Sequence, residues 1–222
     1  MDAVIKVGGS LAENPPVLKT LCHRLSELSK KHGVIVVPGG GKFADVVREF
    51  DHKYVLSMDA AHKMAILGMD QFGMLLSQVI PGSCATYSLR DAKRLSEGKV
   101  VPIFLSSQMM FQEGPLEPSW DVTSDSIAAY VASQLNAHKL ILVTDVDGIF
   151  KRNPKKHANT KLIPTISASE LLTFAQRTSV DKFLPKLLLK ARLDCYVVNG
   201  AYPERVDAIL TGQNTVCTLI KP

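Results

Sequence analysis

The sequence predicts an α/β protein, a three-layer α/β/α sandwich on a mainly parallel, open sheet. Three observations predict it. Short apolar runs rich in branched residues alternate along the chain with longer segments whose apolar residues recur at helical spacing. The run LILVTDV at 140–146 has the composition of a strand covered on both faces. Glycine clusters, Gly8-Gly9 and Gly39-Gly40-Gly41, follow the first two runs. An open α/β sheet binds ligands there, beyond the carboxyl ends of its strands.

Ala3–Val7 reads as the first strand, and Gly8-Gly9-Ser10 ends it. Pro15-Pro16 opens the first helix, where a missing N–H costs nothing; Leu18, Leu21, Leu25 and Leu28 give it an apolar stripe and Gly33 stops it. Residues 34–37 form the second strand and 42–50 a short helix. A longer helix over 57–79 turns Ala61, Met64, Ala65, Gly68, Phe72, Leu75, Leu76 and Val79 to a core, and Pro81-Gly82 terminates it. Strands at 84–87 and 100–105 bracket a short helix near 91–97, and 106–119, with Gly114, Pro115 and Pro118, reads as loop. Residues 119–150 then run from loop to helix to buried strand, and Asp147-Gly148 turns the chain. A basic loop at 151–165, helices near 167–176 and 183–193, a strand at 195–198, a short helix and a last strand near 216–220 complete the order. No repeat or linker divides the chain, so residues 1–222 are expected to form a single domain.

The formal charge of +5 comes from Lys and Arg spread along the chain, and no aromatic residues interleave with a basic run. That pattern excludes a nucleic-acid partner and suits a small anionic substrate. Cys22, Cys84, Cys195 and Cys217 lie far apart with neither zinc-site nor disulfide-framework spacing, so a reducing cytoplasm is the expected compartment. No signal peptide and no apolar span of about 20 residues is present, so no membrane partner is expected.

Glycine exposes backbone N–H groups and admits an anion closely, so the two clusters read either as phosphate cradles or as tight turns. There is no GxGxxG, and GGGKF lacks the earlier Gly and the following Ser/Thr of a P-loop. Lys6, in an apolar strand, is costly unless paired or at work; the other reading is an edge-strand lysine in solvent. Lys186 by itself reads as an exposed helix lysine, and Asp125 as an N-terminal helix cap for which Asn would serve as well.

Together, KVGGS at 6–10, PGGGKFAD at 38–45, TSDSIAA at 123–129, TDVDGIF at 144–150, Lys186 and VVNG at 197–200 resemble the amino acid kinase family over essentially the whole chain. The resemblance implies transfer of phosphate from ATP with Mg²⁺, the ion held by ATP oxygens and water rather than by protein ligands. It makes Lys6, Asp125 and Lys186 the catalytic residues: two cations on the moving phosphoryl, with the carboxylate between them positioning both. Gly8, Gly9 and Ser10 would meet the transferred group. Thr144, Asp145, Val146, Asp147, Gly148 and Phe150 would line the nucleotide site, and Gly39, Gly40 and Gly41 would hold the acceptor. One departure is plain: many members carry Gly-Gly-Met shortly before the second lysine, whereas this chain has Asp181-Lys182-Phe183-Leu184-Pro185, and Pro185 has no N–H to donate.

Within the family, SWDVTSDSIAA and VDKFLPKL resemble a small archaeal and methylotroph group tied to methanofuran synthesis. This implies a phosphate-monoester acceptor, 5-(aminomethyl)-3-furanmethanol phosphate, converted to a diphosphate. Lys42 and Arg48 suit such an acceptor. Trp120 would stack on the furan and Asp121 pair with the ammonium, or both would simply anchor their loop. His52 and His62 lie nearby in sequence, where a lone histidine is usually a surface or core residue. The alternatives are isopentenyl phosphate, for which the methionine-rich 57–79 helix would form a lipid pocket, a nucleoside monophosphate, or a non-catalytic relative that binds ATP or oxyanions. A homo-oligomer is expected.

Overall fold

The computed structural model describes residues 1–152, 157, 159–174 and 178–222. Its main sheet takes eight strands in the order β3 (Ser83–Thr86), β4 (Val101–Phe104), β2 (Val34–Pro38), β1 (Ala3–Val7), β5 (Lys139–Thr144), β9 (Asp194–Asn199), β10 (Thr218–Lys221) and β8 (Thr165–Ser167). Pairings are parallel except β9 with β10 among the described residues. A separate hairpin joins β6 (Ile149–Phe150) to β7 (Leu162–Ile163). Helices α1 (Pro15–Ser29), α2 (Gly41–Tyr54), α3 (Met58–Val79), α4 (Leu89–Glu97), α5 (Ser107–Glu113), α6 (Ser124–Gln134), α7 (Ala168–Leu172), α8 (Leu184–Ala191) and α9 (Glu204–Thr211) fill the connections. The three-layer, mainly parallel α/β/α architecture is therefore as the sequence predicts.

Strand side chains alternate between faces, and β1 shows the result. Val4 belongs to the apolar core on one face, which also holds Ile127 and Ala128 of α6 and Leu184 and Leu188 of α8. Ala3, Ile5 and Val7 pack on the opposite face with residues of α1, α3 and α9. Lys6 shares the face of Val4 and so points toward α6. β1 is central, flanked by β2 and β5, which excludes the edge-strand reading of Lys6. Val7 is in register with both Pro38 and Val143. The carboxyl ends of β1, β2 and β5 thus finish level, and the segments that follow them meet.

Four local differences stand out, and Leu75 of α3, expected toward the core, is exposed instead. Residues 107–113 form α5 rather than loop: Met109 and Met110 are buried, and Gly114 ends the helix in the left-handed region at φ 53°. Asp70 of α3, 4 % exposed, faces Ser106 and Ser107 at the start of α5, with neither oxygen in full hydrogen-bond geometry. Burial pushes its pKa up, and those serines pull it back. β5 stops at Thr144, two residues short of the apolar run, because the chain turns through 145–148 into β6. The expected loop at 151–165 contains β7, which pairs Ile163 with Ile149. Of the helix expected over 167–176, α7 ends at Leu172; residues 175 and 176, like Lys155 and Lys156, lie outside the described residues.

Candidate active site

The two glycine segments touch. A Cβ on Gly9 would stand 2.2 Å from the Gly41 nitrogen, and one on Gly39 would stand 2.8 Å from the Gly9 nitrogen. Gly41 also adopts φ +51°, which a side chain disfavours. Part of the reason for glycine is therefore backbone packed on backbone. Gly8 donates its N–H to Val143 O at 2.8 Å and Gly39 its own to Val7 O at 2.8 Å. The sheet thus uses the Gly8 N–H, which corrects its expected part as an amide donor to phosphate. Gly9 opens a 3-10 turn, Gly9–Glu13, and Gly41 opens α2, so their N–H groups precede the first intrahelical bonds and suit an anion. Ser10 follows in the same turn, exposed.

Across from these loops, Lys6 Nζ lies 2.7 Å from Asp125 Oδ1, their side chains 11 % and 7 % exposed. Asp125 sits in the first turn of α6, and its Oδ2 accepts the Asp181 N–H at 3.1 Å. It is not the helix cap. That position belongs to Thr123, whose side chain makes no capping bond.

The capping is done from far along the chain by Asp181, which sequence reasoning did not single out as a site residue. One carboxylate oxygen accepts from Thr123 N, Thr123 Oγ1 and Ser126 N, each at 2.9 Å. The other accepts from Ser126 Oγ at 2.6 Å, Phe183 N at 3.1 Å and Leu184 N at 2.8 Å. Asp181 therefore fastens the N-termini of α6 and α8 to each other. Burial, then the neighbouring Asp125, pushes its pKa up, while the Ser126 and Thr123 hydrogen bonds pull it back. Pro185 falls in the first turn of α8, where its missing N–H is harmless.

Lys186, also near the start of α8, is exposed, and its Nζ lies 5.5 Å from the centre of the Phe183 ring. Among the described residues it makes no ion pair with Asp125, whose partner lysine is Lys6; the helix that carries Lys186 is tied to α6 through Asp181.

A cleft of about 240 Å³ opens beside Lys6, lined by Gly8, Gly9, Ser10, Gly40 and Gly41 at one end and by Ala65, Ile66 and Met69 of α3 along a wall. Arg48 and Trp120 line it too. Trp120 donates its indole N–H to Asp51 at 2.8 Å, and the Arg48 guanidinium lies 4.9 Å from the centre of its ring, so the indole is anchored as well as facing the cleft. Arg48 pairs with Asp45 at 2.5 Å. Lys42 and His52 are exposed and outside the lining, and Gly39 is buried behind it. Asp121 is also outside, 3.7 Å from Lys182 and largely exposed, so the cleft does not include it.

On the other side of β5, Thr144 reaches the cleft and donates its hydroxyl to Asp145 at 3.3 Å. Asp147 is held by Arg205 at 2.6 Å and Asn199 at 3.2 Å. A Cβ on Gly148 would come 2.4 Å from Thr218 Oγ1, so this turn packs tightly on β10. Val146 and Phe150 are half-buried in the same segment.

The model of the amino acid kinase family matches residues 1–199. The (5-(aminomethyl)furan-3-yl)methyl phosphate kinase of Methanocaldococcus jannaschii is 37 % identical over 219 residues, covering 98 % of this chain and 96 % of that protein. The uridylate kinase of Thermococcus kodakarensis is 25 % identical, with both chains fully covered. Among solved structures, the uridylate kinase from Archaeoglobus fulgidus superposes with a TM-score of 0.77 at 22 % identity, over 99 % of this chain and 100 % of that one.

Proposed function

The chain belongs to the amino acid kinase family, and from that premise we propose that it transfers the γ-phosphoryl of ATP to a phosphate monoester. The proposed acceptor is (5-(aminomethyl)furan-3-yl)methyl phosphate, the substrate in the name of the 37 % identical relative and the one implied by the resemblance to methanofuran-pathway kinases. The observation that carries the reading is the buried Lys6–Asp125 pair at the floor of a cleft bounded by two touching glycine loops.

In this reading an acceptor phosphate oxygen bonds to the γ-phosphorus as the β–γ bridging bond breaks and ADP leaves. Such a reaction asks for in-line positioning and charge neutralisation rather than covalent help. Lys6 supplies positive charge at a place fixed by Asp125. The Gly9 N–H faces the transferred group, and the Gly41 N–H with Arg48 holds the acceptor phosphate. Lys186, presented by α8, is the second cation. Thr144 and the 145–150 segment border the nucleotide. Magnesium fits best on ATP oxygens and water, as suits an ion that gives up its hydration shell reluctantly.

Two further points belong to the same reading. A second copy of the chain is the proposed occupant of the exposed apolar stripes of α2 (Phe43, Val46, Phe50) and α3 (Leu67, Met74, Leu75); sedimentation at micromolar protein checks it, and a monomer would refute it. The proposed compartment is a reducing cytoplasm, consistent with four free cysteines.

The test is phosphorus NMR of the protein with ATP, Mg²⁺ and the furan phosphate. New coupled diphosphate resonances growing with ADP support the reading. ATP left intact, or consumed only with uridine monophosphate, overturns the acceptor.

A further inference from the structure

We propose that His62 is an acceptor-binding residue that selects phosphate monoesters carrying a hydrogen-bonding group at the end remote from the phosphate. The inference rests on the kinase reading above and adds a specificity element to it. His62, Ala65, Ile66 and Met69 follow one another at helical spacing on α3 and line the same wall of the cleft. Three of the four are apolar. His62 is 8 % exposed, and its Nε2 is a buried polar atom with no hydrogen-bond partner among the described residues.

A buried polar group left without a partner is costly, and native interiors rarely keep one for packing alone. Burial lowers the His62 pKa below its ordinary value, against a smaller opposing pull from the Ser119 backbone. The ring is therefore neutral at neutral pH, with one nitrogen donating and the other accepting. The same imidazole also borders a second pocket formed with Met110, Phe111 and Leu116, so it stands in the partition between the two spaces. A polar contact at this point has no use for an acceptor with a hydrocarbon end. It suits a primary amine or a heterocyclic edge, and the aminomethyl group of the proposed acceptor is of this kind.

The experiment compares wild type, His62→Leu and His62→Gln at saturating Mg-ATP. The acceptors are the aminomethyl-furan phosphate, its methyl-furan analogue without the amine, uridine monophosphate and isopentenyl phosphate. Wild type should favour the aminomethyl acceptor over the methyl analogue by roughly tenfold or more in kcat/KM, the scale of one site hydrogen bond and the cost of leaving it unmade. His62→Leu should erase that preference through KM for the aminomethyl acceptor alone, with the ATP KM unchanged. His62→Gln, which can still donate and accept, should recover part of it. A merely structural histidine predicts equal losses on both furan acceptors; that result, or an unchanged preference in His62→Leu, overturns the inference. If wild type uses uridine monophosphate and no furan phosphate, the acceptor assignment falls. The same variants are then read on uridine monophosphate against ribose 5-phosphate, where loss of preference supports His62 and its persistence rejects it. Wild-type preference for isopentenyl phosphate rejects it directly.

Discussion

Asp125→Asn separates two accounts of one carboxylate. If Asp125 were a helix cap, Asn would replace it almost silently. The structure assigns capping to Asp181 and leaves Asp125 beside Lys6 at 2.7 Å. At 11 % and 7 % side-chain exposure the pair is too buried for the small values of surface ion pairs. Removing one partner of such a pair costs about 3–5 kcal/mol, because the remaining charge stays buried. Asn still accepts the Asp181 N–H, so the lower end applies. At about 2–4 °C per kcal/mol for a chain of this size, the melting temperature should fall by roughly 6–12 °C. With Lys6 no longer fixed, kcat should fall by about 10²–10³. Thermal melting and steady-state turnover on the same preparation measure both. The double variant Lys6→Met/Asp125→Asn, which buries no unpaired charge, should regain much of the stability and none of the activity. A shift of less than about 2 °C with unchanged kcat would refute the argument.

Asp181→Ala removes six hydrogen bonds at two helix starts. It should cost more than about 3 kcal/mol, read by thermal melting, and Asp181→Asn should cost less. Lys186→Ala removes an exposed lysine, so stability should change by no more than about 0.5 kcal/mol while kcat drops by about 10²–10³; wild-type kcat would take Lys186 out of the reaction. Asp70→Asn should raise the melting temperature at pH 7. The raised pKa of Asp70 means that the cost of its charge is absent at about pH 4 and grows as pH climbs through its folded value. The gain over wild type should therefore close as pH falls, and a gain independent of pH would show that charge is not the cause.

Much of this was legible in the sequence because it is local. Lys6 stood out as a cation in an apolar run, and the runs at 3–7, 34–37 and 140–144 are the buried centre of the sheet. The glycine clusters announced a backbone approach, although not that each loop was the other's close neighbour. What stayed hidden depends on partners far apart in the chain. Asp181 meets Ser126 and Thr123 across 55 and 58 residues, and Trp120 meets Asp51 across 69. No spacing rule connects such positions. α5 lacked an apolar period, and only Gly114 marked its end. His62 resembled any core histidine until its empty nitrogen and its wall of α3 were seen together.

The contact between Gly9 and Gly41 bears on how new substrates can be accommodated. Where two loops meet through main-chain atoms alone, their spacing does not depend on any rotamer, and no single side chain can retune it. If the two loops hold the transferred group and the acceptor phosphate as proposed, the span between those groups is a constant of the scaffold. Altering preference falls to surfaces that do carry side chains: the α3 wall, and Trp120 and Val122 ahead of α6. A designer seeking another phosphorylated acceptor would leave 8–10 and 39–41 untouched and vary positions 62, 65, 66, 69 and 120 instead.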